Sequence, residues 1–239
     1  MESPGLRRLL LEIIAAARER EHEFLALCDD SPPPEPGLWT VKDHLAHLTA
    51  WRINVAQLLD SGRTGTEPPR MDEDVQVSNA RVYAANKDQT AEVVKANARA
   101  AYDRLETAIA ACSNEDLLKP HPLPRSAGAA LSRTVPGHVH HLAEHLMFWH
   151  LEQGNEEAAE AAQLWVHGLD RAQFPEPKAV AASTYDLGSF YAHIGREDEA
   201  LHRFKLAFEL DPSLKKRAQT DPDLERIANH PELAALLAQ

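Results

Sequence analysis

Cysteine is scarce in this sequence, which has two cysteines, Cys28 and Cys112, among 239 residues. Two cysteines cannot form a disulfide framework or a cysteine-rich zinc site. Both lie in stretches with helical periodicity, where a lone cysteine commonly behaves as a small buried apolar residue. A compact chain of this length buries enough apolar surface to fold without a disulfide or a metal ion.

The sequence also lacks a net positive charge and long apolar runs. The chain has 25 Lys+Arg against 37 Asp+Glu, a net charge of -12, and its longest basic run is Lys215–Arg217. Because nucleic-acid binding normally needs a basic patch, we expect no nucleic-acid partner. No apolar run approaches the roughly 18 residues of a membrane span, and the first residues show no secretory signal pattern. These observations predict a cytoplasmic protein without membrane association.

The alternation typical of β-strands is rare, and the apolar residues recur at helical spacing, which predicts an all-α fold. Two capping boxes, Thr40 with Asp43 and Ser113 with Asp116, mark helix starts. Four main helices with two longer connections favour a four-helix bundle over residues 1–153. The predicted helices cover Leu6–Leu27, Thr40 to about Leu59, Val75–Ala111 with a break capped by Thr90, and a fourth helix that follows Thr134–Gly137 and runs to about Gln153.

Residues 154–239 are also helical but follow another pattern. Over residues 181–214, small and aromatic residues recur at offsets that resemble one tetratricopeptide repeat, a helical hairpin, with Thr184 in place of the early Trp. Since one repeat cannot bury its own face, the flanking helices must complete its core. Two roles stay open: a helical cap, or a surface for a peptide or a second copy of the chain. The surface hypothesis rests on Tyr185, Tyr191 and His193.

Histidine is abundant, with 13 histidines against 10 glycines. Five fall in the fourth predicted helix, and two, His44 and His47, fall in the second. His141 and His145 are four residues apart, so they share one helix face and can bind one divalent ion. A third ligand must come from another helix, and His47 lies in its most regular apolar stretch. Three imidazoles leave coordination positions open for water or substrate, as catalytic metal sites do.

Other interpretations of these residues stay open. His44 and His138 flank the trio and can compete as ligands, while any histidine on a helix face can instead be a hydrogen-bonded core residue. Lys42 and Arg52 are expected to be exposed helix charges, with binding of a substrate carboxylate as the alternative. Four aromatic residues are candidates for lining an apolar pocket, with core packing as the alternative: Trp39, Trp51, Tyr83 and Trp149.

Three segments carry a family resemblance. Trp39–Trp51 resembles the second-helix signature of DinB-like four-helix bundles, in particular the ClbS/DfsB branch, and His141–Leu146 resembles the last-helix histidine motif. Asn79–Tyr83, with Asn86–Asp88, is similar to a further stretch of that branch. In the DinB superfamily a divalent metal is typically held by one histidine of helix two and two of the last helix. The resemblance therefore implies a site made of His47, His141 and His145.

The resemblance also implies a function. It favours a metal-dependent hydrolase or thiol transferase that acts on a reactive small molecule, in the manner of a detoxifying enzyme, with Zn²⁺ or Ni²⁺ as the metal. Imidazole ligands suit both ions, so the ligand type alone does not choose between them. The alternative is a non-catalytic binding or scaffold protein that uses its C-terminal segment to contact a protein partner. No catalytic acid or base and no particular substrate follow from the sequence.

Overall fold

A computed structural model of the chain describes residues 5–33, 35, 37–69, 75–123 and 129–238. Over these residues the regular structure is helical, with one isolated bridge between Pro120 and Ala130 and no strand, which confirms the all-α prediction. Short 3-10 helices cover Leu131–Arg133 and Pro222–Ile227. The α-helices are α1 (Leu6–Leu27), α2 (Val41–Thr64), α3 (Val75–Asn86), α4 (Ala91–Ala111), α5 (Asn114–Leu118), α6 (Thr134–Glu152), α7 (Glu156–Gln173), α8 (Pro177–His193), α9 (Glu197–Leu210), α10 (Leu214–Ala218) and α11 (Pro231–Ala238).

The chain divides into two compact units, Met1–Leu146 and Met147–Gln239. In the first unit, α1, α2 and α4 pack against one another, and α3 packs on α2. Side-chain hydrogen bonds connect α2 to α6. Among the described helices, none combines the length and the apolar character that crossing a membrane requires.

Helix starts in the first unit follow the local sequence signals. At the start of α2, Thr40 Oγ1 accepts a hydrogen bond from the Asp43 amide at 3.2 Å, and Asp43 Oδ2 accepts one from the Thr40 amide at 2.9 Å. The same reciprocal bonds join Ser113 and Asp116 at the start of α5. Thr90 caps α4, so the predicted break separates α3 from α4. Each cap satisfies backbone amides that the first helical turn leaves unpaired.

The second helix is longer than the sequence suggested, because α2 continues past Leu59 to Thr64. The hydroxyls of Ser61 and Thr64 donate hydrogen bonds to the carbonyls of Leu58 and Asp60, which lets polar residues continue the last helical turn. Gly65 ends the helix in the left-handed conformation, at a φ of 72°. The longer connection predicted between the second and third helices includes residues 70–74, which lie outside the described residues.

The second unit contains a helical hairpin made of α8 and α9. Its helices approach closely at Gly188, where an added Cβ would lie 3.0 Å from Phe204 Cε1 and 3.2 Å from Arg203 Cβ. Glycine therefore permits a helix contact that a larger residue would obstruct. The 3-10 helix Pro222–Ile227 packs on α8, and α11 packs on α9, so flanking elements contribute to the core.

The structure corrects the expectation that Tyr185 and Tyr191 form a protein-binding surface. Both side chains are buried in the core of the second unit. The Tyr185 hydroxyl donates to Asp221 Oδ2 at 2.8 Å, and the Tyr191 hydroxyl donates to Glu160 Oε1 at 2.7 Å. Because the rings and hydroxyls are occupied within the unit, neither residue is available to a partner. His193 is exposed, and its ring contacts Phe148 edge-on.

Candidate metal centre

Three histidine side chains from two helices converge in the first unit. His47 Nε2 on α2 lies 3.1 Å from His141 Nε2 on α6, and His145 Nε2 lies 3.0 Å from the same atom. All three ligand nitrogens lie within 4.8 Å of one another. His141 and His145 are one turn apart and therefore share a face of α6. The structure thus brings together the three histidines selected by spacing and by family resemblance.

The donor set fits a divalent metal ion. A ring nitrogen carries either one hydrogen or one lone pair, so His141 Nε2 cannot form two independent, well-directed hydrogen bonds to its two neighbours. Three lone pairs directed at one ion remove this conflict. With metal–nitrogen bonds of about 2.0–2.1 Å, ligand nitrogens around one ion are separated by roughly 3.0–3.4 Å. The two short separations at His141 lie in that range.

The three rings are held in the neutral form that binds metals. Burial, together with the neighbouring rings of His141 and His44, lowers the pKa of His47 from 6.5 to about 3. Burial and the Arg52 charge lower the pKa of His141 to about 4. The pKa of His145 falls well below its ordinary value, chiefly through burial. Since metal ions bind the unprotonated imidazole, these environments favour a metal site at neutral pH.

His44 contacts the trio from the side that faces away from the converging nitrogens. Its Nδ1 lies 2.6 Å from Nδ1 of His145, the ring nitrogen that His145 does not direct at His141. Phe24 and Trp39 pack on the His44 ring, with centroids 5.6 and 5.4 Å away. His44 is therefore placed as a hydrogen-bond partner of a candidate ligand, rather than as a fourth ligand. This arrangement is typical of residues that orient metal-binding histidines.

His138 lies one turn before His141 and is 4 % exposed. Its Nε2 accepts a hydrogen bond from Arg52 Nε at 3.1 Å. The ring centroids of His138 and His141 are 6.2 Å apart. Because Nε2 of His138 is occupied by Arg52, the structure places His138 beside the trio and not in it.

Arg52 corrects the expectation of an exposed helix charge, since its side chain is fully buried. Its guanidinium is paired with Glu21, which is also fully buried, and donates to the Ala98 carbonyl at 3.1 Å. The guanidinium carbon lies 3.5 Å from the ring centroid of Tyr102, whose hydroxyl donates to Glu21 Oε2. A charge buried with this many partners is a structural group, which leaves no role for Arg52 in binding a substrate carboxylate. Lys42 is partly buried, with 15 % of its side chain exposed, and it is paired with the exposed Asp30 at 3.3 Å.

The aromatic candidates differ in position. The ring centroid of Trp39 lies 5.9 Å from that of His145 and 6.4 Å from that of Tyr83, and both pairs of rings are stacked. Trp39 and Tyr83 border a small crevice beside His47. Trp51 borders a larger cavity. Trp149 borders neither of these cavities, and its ring contacts that of His150, with centroids 4.8 Å apart.

The larger cavity opens beside the candidate ligands and has a volume of about 330 Å³. His47, His138 and His141 form part of its wall. The other described lining residues include no Asp, Glu, Lys or Arg: Trp51, Asn54, Val55, Leu58, Val75, Asn79, His121, Leu123, Thr134 and Gly137. A cavity of this size beside a metal-binding cluster is suited to a small molecule.

Two of the site's features escaped the sequence analysis. The first is the buried Glu21–Arg52–Tyr102 network, and the second is the pairing of His44 with His145. A signal for the first was present, because Glu21 lies four residues after Ala17 and three before Phe24, on the apolar face of α1. Arg52 lies on the buried face of α2, four residues after Leu48 and four before Ala56. A charge on an apolar helix face predicts a buried partner.

Comparison with known proteins assigns the first unit to a family. The family model described as the DinB superfamily matches residues 14–153, which is more than half of the chain. Neither the curated proteins nor the solved structures contain a match to this chain. The matched residues include α2 and α6, the two helices that carry the converging histidines. The chain therefore belongs to the DinB superfamily.

Proposed function

We propose that this protein is a metal-dependent enzyme, a hydrolase or thiol transferase, that acts on a reactive small molecule. The observation that carries the proposal is the convergence of three neutral imidazole nitrogens, from His47, His141 and His145, two of which, those of His47 and His141, belong to residues that line a cavity. Zn²⁺ and Ni²⁺ are the proposed ions. When bound, such an ion supplies a Lewis acid and lowers the pKa of a coordinated water or thiol.

The chain's own residues would hold and orient this site. With a metal ion on Nε2 of His145, the hydrogen of that ring would be on Nδ1, and His44 Nδ1, 2.6 Å away, would accept it and hold the ring in place. The Trp39 ring stacks on His145, with the ring centroids 5.9 Å apart. The cavity lined by His47 and His141 offers space for a substrate. The resemblance to the ClbS/DfsB branch supports a reactive, electrophilic substrate.

The C-terminal unit is proposed to be a tetratricopeptide-like hairpin completed by flanking helices. The close approach of α8 and α9 at Gly188 supports this assignment, as does the packing of the following elements on both helices. With Tyr185 and Tyr191 in its core, a partner surface would have to use other residues. The enzyme hypothesis is therefore better supported than the scaffold hypothesis.

Turnover assays test the proposed function. Untagged protein is freed of metal with a chelator and reconstituted with Zn²⁺ or Ni²⁺. It is assayed for hydrolysis of 4-nitrophenyl acetate and for addition of 2-mercaptoethanol to styrene oxide. We expect turnover that requires the metal and falls at least a hundredfold in His141→Ala, but not in His202→Ala, an exposed residue of the second unit. Equal rates for the metal-free protein, the loaded protein and His141→Ala would overturn the proposal.

A further inference from the structure

Two facing helices form much of the wall of the larger cavity. On α2 the lining residues recur three or four positions apart and so share one face: His47, Trp51, Asn54, Val55 and Leu58. On α6 they do the same: Thr134, Gly137, His138 and His141. The contacts of His47 with His141 and of Arg52 with His138 show that the two helices run in opposite directions. The cavity therefore extends from the candidate ligands toward the start of α6, where Thr134 lies about 10 Å along the helix axis from His141.

The cavity offers apolar surface to a ligand. Five large apolar side chains border it, from α2, from α3 and from the connection before α6: Trp51, Val55, Leu58, Val75 and Leu123. An apolar group that leaves water to pack against these side chains gains free energy in proportion to the area that it buries. An apolar cavity of about 150 Å³ accommodates benzene. The volume of about 330 Å³ found here therefore has room for a segment as large as two fused rings.

Gly137 lies in this wall, on the same face of α6 as a candidate ligand. It is three residues after Thr134 and four before His141, and all three residues line the cavity. Apart from its own helical turns, no atom of the described residues lies within 4 Å of a Cβ added at Gly137. Glycine is among the least favourable residues in a helix, and Gly137 does not serve a close helix contact of the kind that requires Gly188. The missing side chain therefore leaves space in the cavity on the side of His141.

We propose that this cavity binds an apolar segment of the substrate, about as large as two fused aromatic rings, and that Gly137 determines how large a segment is accepted. The reacting group of the same molecule would lie at the end of the cavity that His47 and His141 line. The inference names the substrate class of the proposed enzyme and so rests on the proposed function, but binding of the segment itself requires no metal. Gly137 is a specificity-determining residue that acts through the space it leaves.

Two probes of different size, fluorobenzene and 1-fluoronaphthalene, test the proposal by ¹⁹F NMR titration of the metal-free protein. Because each further buried ring carbon strengthens binding, the two-ring probe should bind wild type about tenfold more tightly or better. Gly137→Leu fills part of the cavity, so its affinity for 1-fluoronaphthalene should fall about tenfold or more, because the second ring loses its place. Fluorobenzene needs about half the volume, and its affinity should change by less than about threefold.

Gly168→Leu is the matched control, because it makes the same change on α7 of the second unit, at a residue that is not part of the cavity wall. Both probes should bind it within about twofold of wild type. If Gly137→Leu does not fold, the wild type takes its place, and the ring protons of bound 1-fluoronaphthalene should show nuclear Overhauser contacts to the Gly137 α protons. Equal 1-fluoronaphthalene affinity in the two leucine variants, equal weakening of both probes in Gly137→Leu, no Overhauser contact to Gly137, or no binding of either probe up to its solubility limit would overturn the inference.

Titrations with Zn²⁺ and two hydroxamates separate this inference from the proposed function. Acetohydroxamate and 2-naphthohydroxamate carry the same metal-binding group, and the second adds the two-ring segment. With Zn²⁺ bound, the naphthyl compound should bind wild type about tenfold more tightly or better, and Gly137→Leu should lose this gain. If Zn²⁺ does not bind but 1-fluoronaphthalene affinity still depends on Gly137, the proposed metal chemistry fails and the apolar subsite stands. If Zn²⁺ and acetohydroxamate bind but the naphthyl group adds no affinity, the subsite fails and the metal site stands.

Discussion

Nδ1 of His145 lies 2.6 Å from Nδ1 of His44, and the two side chains come from helices α6 and α2. Nδ1 is the ring nitrogen of His145 that does not belong to the candidate metal centre, because Nε2 is the one that lies next to His141. When Nε2 of His145 binds a metal, its hydrogen must be on Nδ1, and His44 Nδ1 must accept it. His44 is therefore expected to set the orientation and tautomer of a metal ligand.

Replacing His44 should weaken metal binding without removing a ligand. His44→Phe keeps an aromatic ring against Trp39 but loses the acceptor, and we expect Zn²⁺ to bind about 10- to 100-fold more weakly. His44→Asn, which keeps an acceptor near the Nδ1 position, should stay within about threefold of wild type. Competition with a chromophoric chelator measures both affinities. Equal Zn²⁺ affinity in wild type and His44→Phe would show that the hydrogen bond has no role in orientation.

The stability of the metal-free protein should depend on pH through the buried histidines. Burial lowers the pKa of His44 to about 4 and that of His47 to about 3, against 6.5 in the unfolded chain. Below pH 6.5 the unfolded chain therefore binds protons that the folded chain does not. The stabilisation is complete above pH 6.5 and is lost as the pH falls, down to about 4 for His44 and about 3 for His47. Each group contributes a slope of at most about 1.4 kcal/mol per pH unit.

Urea unfolding at a series of pH values measures this dependence. His47→Leu removes one of the titrating groups, so its free energy of unfolding should vary less steeply with pH between 6.5 and 4 than that of wild type. A slope identical to the wild-type slope would show that His47 is not a buried neutral histidine in the metal-free protein.

The buried ion pair of Glu21 and Arg52 should be essential for stability. Glu21→Ala leaves the Arg52 charge buried without its carboxylate, and we expect a loss of about 3–5 kcal/mol in the free energy of unfolding. Glu12→Ala on the same helix is the matched control. It removes an exposed i,i+4 pair with Arg8, and its effect should be within about 0.5 kcal/mol. Denaturant unfolding compares the two variants. If both lose less than about 0.5 kcal/mol in the free energy of unfolding, burial of Arg52 does not depend on the Glu21 carboxylate.

Two glycines in the second unit should respond in opposite directions to the same change. Gly188→Leu places a side chain against Phe204, and overpacking of this kind typically costs about 1–3 kcal/mol. Gly168→Leu meets no atom within 4 Å of its Cβ, so it should gain up to about 1 kcal/mol from helix propensity. Thermal unfolding tests the pair. Equal tolerance of leucine at both positions would contradict the close contact between α8 and α9.

Local signals in the sequence predicted much of the fold. The start of α2 at Thr40, and the break before α4 at Thr90, followed from side chains that cap the next few amides. The pairing of His141 with His145 followed from helix geometry, because residues four apart share a face. The end of α2 was misjudged, since Ser61 and Thr64 form bonds inside the helix that composition alone does not reveal.

The remaining errors concern contacts between residues far apart in the chain. Arg52 meets Glu21 and Tyr102 only after α1, α2 and α4 pack together. The repeat-like pattern gave the positions of Tyr185 and Tyr191 but not the side of the hairpin that other helices cover. Spacing along one helix predicts which residues share a face, whereas the partner of that face depends on the tertiary packing.

The central claim is that His47, His141 and His145 bind one metal ion. Elemental analysis and Zn²⁺ titration of untagged protein, compared with His141→Ala and with His202→Ala, measure this. We expect one ion per chain in wild type and His202→Ala, a higher unfolding temperature when Zn²⁺ or Ni²⁺ is added, and loss of both effects in His141→Ala. No stoichiometric metal and no shift in unfolding temperature with either ion, or equal binding by His141→Ala, would contradict it.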